Sequence, residues 1–448
     1  MNAISIFPIT KELLKPWLKQ QSSHLQTWVE QTGFKAEGNE VCLVSNKEGK
    51  LEKVLFGVKN FDDFLAWGKL PLLLPEQHAY CFDVSFDEKL KEKSAIGWGL
   101  GAYQFTQYKE PKREPSQLIL SNKKTFQLIE NTVNSICFIR DLINTPTDDM
   151  SPEILSKVAK QLAQDYQADF SEIVGESLLK QNFSAIYTVG RGSGHFSRLI
   201  ELNWGRKSDL KITLVGKGVC FDSGGLDLKT ASGMGLMKKD MSGAAHVLGL
   251  AKMIMAAKLP VRLRVLIPAV ENMVSGSSYH PGDVIKMRSG LSVEVNNTDA
   301  EGRLILADAL SEAVSEKPDL LIDIATLTGA ARVALGTEII PLFANHDETA
   351  NQVLDVAKEE NEAMWRMPLF KPYNDLLKSY IAELSNSGSK PYAGAITAAL
   401  FLQHFVPDTI QWLHLDIFGW NEEASPGKPK GGEAFGIRTL FKVIQCLL

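Results

Sequence analysis

The sequence has few cysteines, no long apolar segment and no excess of basic charge. Its five cysteines among 448 residues are scattered and odd in number, which argues against a disulfide framework and against a CxxC metal site. No segment approaches the ~20 apolar residues that cross a bilayer, and the N-terminus lacks the pattern of a signal peptide. The formal net charge of -5 offers no basic field for nucleic acid or an anionic membrane. We therefore expect a cytoplasmic protein without membrane association.

Length and composition predict two folded domains. A chain of 448 residues exceeds one ordinary domain, and 44% hydrophobic with 23% charged residues is typical of globular proteins. Strand-like runs such as "EVCLVSN", "EKVLFGV" and "AYCFDVSF" mix with helical runs such as "FDDFLAWGKLP" before residue 140. Ser151 is a good N-cap for a helix that starts at Pro152 and runs to about Gln167. We expect a smaller α/β domain over residues 1–139 and a larger α/β domain over residues 140–448.

In the second domain, apolar runs alternate with helical patterns. The predicted strands are "SAIYTVG", "LKITLVG", "VRLRVLIPA", "LLIDIAT" and "QWLHLDIFG", and the predicted helices include "GAAHVLGLAKMIMAAK", "LILADALSEAVSEK" and "GAITAALFLQHFV". Unbroken apolar runs are typical of strands that are covered on both faces. The pattern predicts a central mixed sheet flanked by helices, with ligand sites at the carboxyl ends of its strands.

Two glycine-rich segments do not fit a phosphate site. "VGKGVCFDSGG" lacks the GxxxxGK[ST] spacing, and the residues after its lysine are strand-like where a helix should begin. "VGRGSG", Val189 to Gly194, lacks the third glycine of a dinucleotide fingerprint and is better interpreted as a turn.

Four carboxylates favour a metal site instead. They follow strands or lie in loops beside glycines, and they are Asp222, Asp240, Asp299 and Glu301. Oxygen ligands of this kind can share two divalent cations about 3.5–4 Å apart. An acidic residue before a helix is more often a cap or a partner of the helix dipole. However, "NNTDAEGRLILADAL" places Asp299, Glu301 and Arg303 at alternate positions, which face the same way on an extended segment.

At these residues the sequence resembles the leucine aminopeptidase (cytosol aminopeptidase) family of di-metal exopeptidases. "NTDAEGRL", Asn297 to Leu304, matches that family's signature, and "VGKGVCFDSGG", "MKKDMSGAA", "ENMVSGSSYHPGD", "DIATLTGA" and "AGAITAALFL" follow the family's order and spacing. The resemblance implies two divalent ions, zinc with manganese or magnesium as replacements. Lys217, Asp222, Asp240 and Glu301 would bind the tighter ion, and Asp222, Asp299 and Glu301 the more exchangeable one.

The resemblance also implies the chemistry. A hydroxide between the ions would attack the first peptide bond, Lys229 and Arg303 would be the catalytic pair, and Arg303 would hold a bicarbonate. Lys217 can bind a metal only as a neutral amine, so its pKa must fall when the ions are present. The pocket for the first side chain would be apolar and suited to leucine with broad specificity; it would be lined by Met237, Asn297, Ala300, Thr326, Leu327 and Gly329.

Several expectations extend or depart from the family pattern. Relatives in this family assemble as hexamers, which are dimers of trimers. We therefore expect a homohexamer that admits short peptides, with the first domain in an oligomerisation or accessory role.

Asp227 replaces a small hydroxyl residue, and we hypothesise that it pairs with Lys229. Glu383, Phe418 and Trp420 also differ from the common residues, which bears on subunit contacts and pocket shape. The alternatives are a dipeptidase of narrow specificity, such as for Cys-Gly, and a DNA-binding scaffold.

Overall fold

The computed structural model describes residues 3–120 and 122–448. The chain folds into two compact units. The first unit comprises Met1–Cys137 and Asn421–Lys430, and the second comprises Phe138–Trp420 and Gly431–Leu448. The sequence places 421–430 in the second domain, but in the structure this segment groups with the first unit. The reason is close backbone packing, since a Cβ at Gly68 would lie 2.2 Å from the amide nitrogen of Gly427.

The first unit has a five-stranded sheet in the order β2-β3-β1-β4-β5, in which β1 runs parallel to both of its neighbours. Its strands are β1 (Ile4–Ile9), β2 (Val41–Ser45), β3 (Leu51–Gly57), β4 (Ala79–Phe82) and β5 (Gln117–Leu118), and its helices are α1 (Lys11–Leu18), α2 (Ser23–Thr32) and α3 (Glu88–Gly101). "FDDFLAWGKLP" forms a 3-10 helix at Phe64–Lys69, where the Asp63 carboxylate accepts a hydrogen bond from the amide of Ala66.

Helix α4 (Lys123–Asn144) contains the border between the units, and the remaining elements follow it. The later helices are α5 (Pro152–Asp165), α6 (Ser177–Lys180), α7 (Ser184–Gly190), α8 (Ala231–Met234), α9 (Ser242–Ala256), α10 (Glu301–Ala313), α11 (Gly329–Leu335), α12 (Asp347–Glu360), α13 (Gly394–Gln403) and α14 (Ile437–Cys446). The later strands are β6 (Asp169–Val174), β7 (Arg198–Trp204), β8 (Leu210–Gly216), β9 (Gly218–Asp222), β10 (Val261–Asn272), β11 (Val284–Lys286), β12 (Ser292–Glu294), β13 (Leu320–Ala325), β14 (Ile340–Ala344), β15 (Met364–Arg366), β16 (Leu384–Ser385), β17 (Gln411–Asp416), β18 (Trp420–Asn421) and β19 (Gly431–Gly432). None of the helices in the described ranges is long and apolar enough to cross a membrane.

The second unit is built on a nine-stranded mixed sheet. Its order is β15-β14-β17-β13-β8-β10-β7-β6, and β9 pairs with β10 beyond the end of β8. The central strands β17, β13, β8 and β10 are mutually parallel, whereas β14 and β7 run antiparallel to their neighbours β17 and β10. The predicted α/β class with a mixed, helix-flanked sheet is therefore confirmed, and the carboxyl ends of the central strands meet at one edge.

Two local predictions have opposite outcomes. The predicted cap at Ser151 is confirmed, because its hydroxyl accepts a hydrogen bond from the amide of Ile154 at the start of α5.

The predicted strand "SAIYTVG" is wrong, since this segment forms α7. A short apolar run suits either structure, and here the distant Asp308 carboxylate accepts hydrogen bonds from the amides of Ala185 and Ile186 and so caps a helix.

Candidate metal centre

The parallel strands bring the predicted metal ligands to one edge of the sheet. Lys217 directly follows β8 and Asp222 ends β9. Asp240 lies in a 3-10 helix, Met237–Met241, that leads into α9. Asp299 lies in the turn before α10, and Glu301 is the first residue of that helix. Two parts of the chain, residues 217–240 and 299–301, thus supply one cluster.

Lys217 is the buried centre of this cluster. Its Nζ lies 2.8 Å from Asp240 Oδ2 and 2.8 Å from Glu301 Oε1, and it donates a hydrogen bond of 3.0 Å to the carbonyl of Thr326. Burial by itself lowers the pKa of Lys217, but the surrounding carboxylates outweigh it and raise the pKa above its ordinary value. The neutral amine that metal binding needs therefore requires cations to offset these carboxylates.

Three carboxylates come close enough to share a cation. Asp222, Asp299 and Glu301 each offer an oxygen, and these oxygens lie within 4.8 Å of one another. Burial and the charge of Asp222 raise the pKa of Glu301 to about 8 and the pKa of Asp299 to about 6. Both shifts have the direction expected for buried carboxylates that lie beside another negative charge.

The buried oxygens of the cluster are also short of hydrogen-bond donors. Asp240 Oδ2 and Glu301 Oε1 are buried, and among the described residues neither accepts a hydrogen bond of acceptable geometry, although both lie beside the Lys217 amine. Buried carboxylate oxygens normally have donors or cations as partners. The donor set of four carboxylates and one amine therefore fits divalent metal ions.

The two predicted catalytic residues border the same cluster. Lys229 Nζ lies 2.8 Å from Asp222 Oδ2 and forms a very short ion pair with Asp299. Burial opposes its charge, but these carboxylates raise the pKa of Lys229, which keeps the side chain cationic at neutral pH. Arg303 Nη1 donates a hydrogen bond of 2.7 Å to the carbonyl of Asn386, and burial lowers the Arg303 pKa to about 10. The buried Nε of Arg303 has no hydrogen-bond partner within the described ranges.

The structure corrects the argument from alternating residues. Asp299 lies in a turn and Glu301 begins α10, so the segment is not extended. Instead, the Asn297 side chain accepts a hydrogen bond of 2.8 Å from the amide of Asp299 and shapes the turn. Gly302 then lets Lys217 approach, because a Cβ at this position would lie 2.6 Å from Lys217 Cε.

The hypothesis that Asp227 pairs with Lys229 is wrong in this structure. Asp227 Oδ2 accepts hydrogen bonds from Thr298, at 2.7 Å from the amide nitrogen and 3.1 Å from the hydroxyl. Residues 223–230 form a turn rather than a strand, so strand alternation does not align the two side chains. Lys229 pairs with Asp222 and Asp299 instead.

Amide side chains that the sequence analysis did not single out hold the cluster in place. Asn272 Nδ2 donates to Asp222 Oδ1 at 2.9 Å and to the carbonyl of Thr298 at 3.0 Å. Asn386 Oδ1 accepts a hydrogen bond of 2.8 Å from the amide of Asn296. An isolated asparagine gives no local sequence signal, so only its place inside a resembling block such as "ENMVSGSSYHPGD" could have indicated Asn272.

The predicted pocket residues lie on the segments that carry or adjoin the cluster. Thr326, Leu327 and Gly329 follow β13, where Asp416 Oδ1 accepts hydrogen bonds from the amides of Leu327 and Thr328 at 2.9 and 3.1 Å. The remaining residues of the predicted pocket flank Asp299 or begin the 3-10 helix of Asp240; they are Asn297, Ala300 and Met237. Glu383 is exposed and its carboxylate accepts a hydrogen bond of 2.7 Å from the amide of Ser292, away from these segments.

Two models of known protein families match the two parts of the chain. Residues 137–441 match the catalytic domain of the cytosol aminopeptidase family, and residues 4–121 match the N-terminal domain of M17 aminopeptidases. Among curated proteins, the chain is 40% identical over 364 residues to a probable cytosol aminopeptidase of Syntrophotalea carbinolica, covering 77% of this chain and 73% of the relative. It is 38% identical over 383 residues to leucine aminopeptidase 1 of Arabidopsis thaliana, covering 81% and 72%.

Solved structures extend the similarity to nearly the whole chain. A crystal structure of cytosol aminopeptidase from Coxiella burnetii has a TM-score of 0.97 and 47% sequence identity, covering 99% of this chain and 97% of that one. The bottromycin maturation enzyme BotP in complex with Mn has a TM-score of 0.90 and 30% identity, with 100% of both chains covered.

Proposed function

Because the chain belongs to the cytosol aminopeptidase family, we propose that its carboxylate cluster holds two divalent metal ions beside the first peptide bond of a bound substrate. The protein is a metal-dependent aminopeptidase, which hydrolyses peptides at the N-terminal residue. The observation that carries the metal assignment is the convergence of oxygens from Asp222, Asp299 and Glu301 within 4.8 Å of one another.

We assign one ion to Lys217, Asp222, Asp240 and Glu301 and the second to Asp222, Asp299 and Glu301. Asp240 Oδ2 and Glu301 Oε1 support the first assignment, because both are buried without a well-oriented donor. Oxygen donors with one amine suit zinc, manganese and magnesium. BotP was solved in complex with Mn, and we propose zinc or manganese as the ions of this protein, with magnesium as a weaker substitute.

The bound ions would polarise the scissile carbonyl and activate water. Lys229 would stabilise the negative charge that develops on the carbonyl oxygen, since its raised pKa keeps it protonated. Its ion pairs with Asp222 and Asp299 would be replaced when cations bind these carboxylates. Arg303 would bind a bicarbonate ion through its unpaired Nε and so assist proton transfer, because a guanidinium cannot itself act as a base.

The pocket for the first side chain is proposed to have a neutral lining that accepts leucine and methionine. Its six residues carry no charge; they are Met237, Asn297, Ala300, Thr326, Leu327 and Gly329. Apolar pockets of this kind discriminate by only ~1–3 kcal/mol per methylene, so we expect broad specificity. A dipeptidase restricted to Cys-Gly is not favoured by the comparisons, and a panel of aminoacyl and dipeptide substrates separates the two.

We further propose a cytoplasmic homohexamer, arranged as a dimer of trimers, that admits short peptides. Residues 140–448 would form the catalytic domain, and residues 1–139 would have an oligomerisation or accessory role. Sedimentation velocity tests the assembly, because it gives the mass of the sedimenting particle. A mass six times that of one chain would support the hexamer, and the mass of a single chain would contradict the proposal. Filter binding to duplex DNA tests the scaffold alternative, for which the comparisons give no support.

Hydrolysis of leucine p-nitroanilide is the direct test of the metal assignment. We expect a chelator to abolish activity and Zn²⁺ or Mn²⁺ to restore it, with two ions per chain by elemental analysis. Asp240→Asn should lose bound metal and activity, whereas Asp375→Asn, at an exposed carboxylate paired with Lys378, should lose neither. Full activity after complete chelation would refute the proposal.

A further inference from the structure

The ring of Phe418 lies beside the side chains of Lys239 and Arg332. Lys239 Nζ is 4.7 Å from the ring centroid and Arg332 Cζ is 5.0 Å from it. Both distances are within the range of cation–π interactions. The next aromatic residue follows the same pattern, since Lys238 Nζ lies 5.5 Å from the ring of Trp420. The bulky residues in "DIFGW" therefore pack against two lysines of the 3-10 helix that carries Asp240 and, through Phe418, against Arg332.

Arg332 and Phe418 adjoin the predicted pocket for the first side chain. A Cβ at Gly329 would lie 3.4 Å from Arg332 Nη2, so the guanidinium is beside one pocket residue. A Cβ at Gly419, directly after Phe418, would lie 3.5 Å from Thr326 Cγ2, which belongs to a second. The guanidinium of Arg332 and the backbone next to Phe418 therefore border the predicted pocket, whose lining residues are neutral.

Arg332 has no ion-pair partner among the described residues. Its guanidinium contacts the ring of Phe418 instead, with Cζ 5.0 Å from the ring centroid. Asp416, two residues before Phe418, accepts hydrogen bonds from both amides of Leu327 and Thr328 and from the Thr328 hydroxyl. The Asp416 carboxylate therefore accepts hydrogen bonds from the loop after β13 and does not form an ion pair with Arg332 among the described residues.

The position of Arg332 leaves it able to bind an anion. Its Cζ lies 5.0 Å from the centroid of the Phe418 ring, and a contact with a ring does not use the N–H groups of a guanidinium, which match both oxygens of a carboxylate. The ring also restricts the rotamers of the arginine, which reduces the ordering needed when an anion binds.

We propose that Arg332, oriented by Phe418, is a specificity-determining residue that makes the enzyme accept peptides with an N-terminal glutamate or aspartate. The carboxylate of this first side chain would bind the guanidinium edge beside Gly329. Acidic substrates would thus be cleaved in addition to apolar ones. This inference rests on the proposed function and adds a substrate class to it.

The test compares side chains of the same shape and different charge. We would measure kcat/KM of the metal-loaded enzyme on the p-nitroanilides of glutamate, glutamine and leucine. The wild type should prefer glutamate over glutamine by about tenfold or more, as expected for a charge-assisted hydrogen bond. Arg332→Met should bring this ratio close to one while leucine hydrolysis changes less than about threefold. Arg332→Lys should retain part of the preference, because it keeps the charge without the planar fork.

Two further variants separate the proposal from nonspecific effects. Phe418→Leu should also reduce the glutamate preference, since it removes the ring that orients Arg332. Arg206→Met, at an exposed arginine paired with Asp209, should leave the preference unchanged. A wild-type preference for glutamine, or a ratio that Arg332→Met does not alter while leucine is still hydrolysed, would overturn this inference alone. Failure of the metal-loaded wild type on all three substrates would overturn the proposed function as well.

Discussion

Gly302 packs directly against the side chain of Lys217, so that a Cβ at Gly302 would lie 2.6 Å from Lys217 Cε and 2.8 Å from its Nζ. The first turn of α10 therefore leaves room for the amine between Asp240 and Glu301. A methyl group at this position must displace the amine, since the Lys217 side chain is buried and has little space to move.

Gly302→Ala should weaken the metal centre. We expect a loss of about 10- to 100-fold in metal affinity or activity, which is typical when groups that position metal ligands are changed. Elemental analysis and leucine p-nitroanilide kinetics measure the two effects. Gly276→Ala is the matched control, because a Cβ at Gly276 would meet no atom within 4 Å. Normal metal content and activity in Gly302→Ala would contradict the packing argument.

Lys229→Met should reduce catalysis while leaving metal bound. Loss of one group that stabilises a developing oxyanion costs about 10²–10³ in kcat, and we expect KM to change little. The measurement is steady-state kinetics at saturating Zn²⁺, together with the metal content of each variant. Lys358→Met, at a side chain that is 78% exposed, is the control. If Lys229→Met lowers kcat and metal content in parallel, the residue acts on the metal centre rather than on the oxyanion.

The metal-free protein should become less stable as the pH rises past neutrality. Burial and Asp222 raise the pKa of Glu301 to about 8 from an ordinary value of 4.5, so the folded state binds more protons than the unfolded chain between these values. The contribution of Glu301 to stability is thus complete below the unfolded pKa and is lost as the pH rises through the folded pKa.

This effect can be isolated by comparing wild type with Glu301→Gln in the presence of a chelator. The unfolding midpoint of wild type relative to the variant should fall as the pH rises from about 4.5 to about 8. Scanning calorimetry provides the midpoints. With zinc bound the trend should reverse, because metal binding releases the protons of its ligands. A midpoint difference that does not change with pH in the metal-free protein would show that Glu301 is already ionised.

Asp227→Ala should affect stability more than catalysis. The substitution removes two hydrogen bonds from Thr298 to Asp227, and we expect a loss of about 1–2 kcal/mol in the free energy of unfolding. Because Asp227 does not contact Lys229, the pH profile of kcat should keep its shape. Urea unfolding and a pH–rate series test both expectations. A shifted pH profile with unchanged stability would restore the pairing of Asp227 with Lys229.

Local chemical patterns were enough to predict the family and the side chains that converge in the carboxylate cluster. Acidic residues after apolar runs indicated ligands at strand ends, and the topology of β8, β9 and β13 brings these ends together. The order of the blocks around "NTDAEGRL" carried the resemblance. The alternation of Asp299, Glu301 and Arg303 nevertheless predicted the wrong backbone for Glu301, since a two-residue spacing fits the start of a helix as well as a strand.

The sequence by itself determined the α/β class, the residues proposed to bind metal and the absence of any apolar segment long enough to cross a bilayer. Only the tertiary structure decided which distant groups meet. Asp308 caps the helix formed by "SAIYTVG" from 123 residues away. The Asp227 carboxylate accepts a hydrogen bond from Thr298 rather than pairing with Lys229. Phe418, on the loop after β17, contacts Arg332 on α11. The residues in each of these contacts are far apart along the chain, so no local sequence pattern specifies the contact. They become neighbours only when the chain has folded.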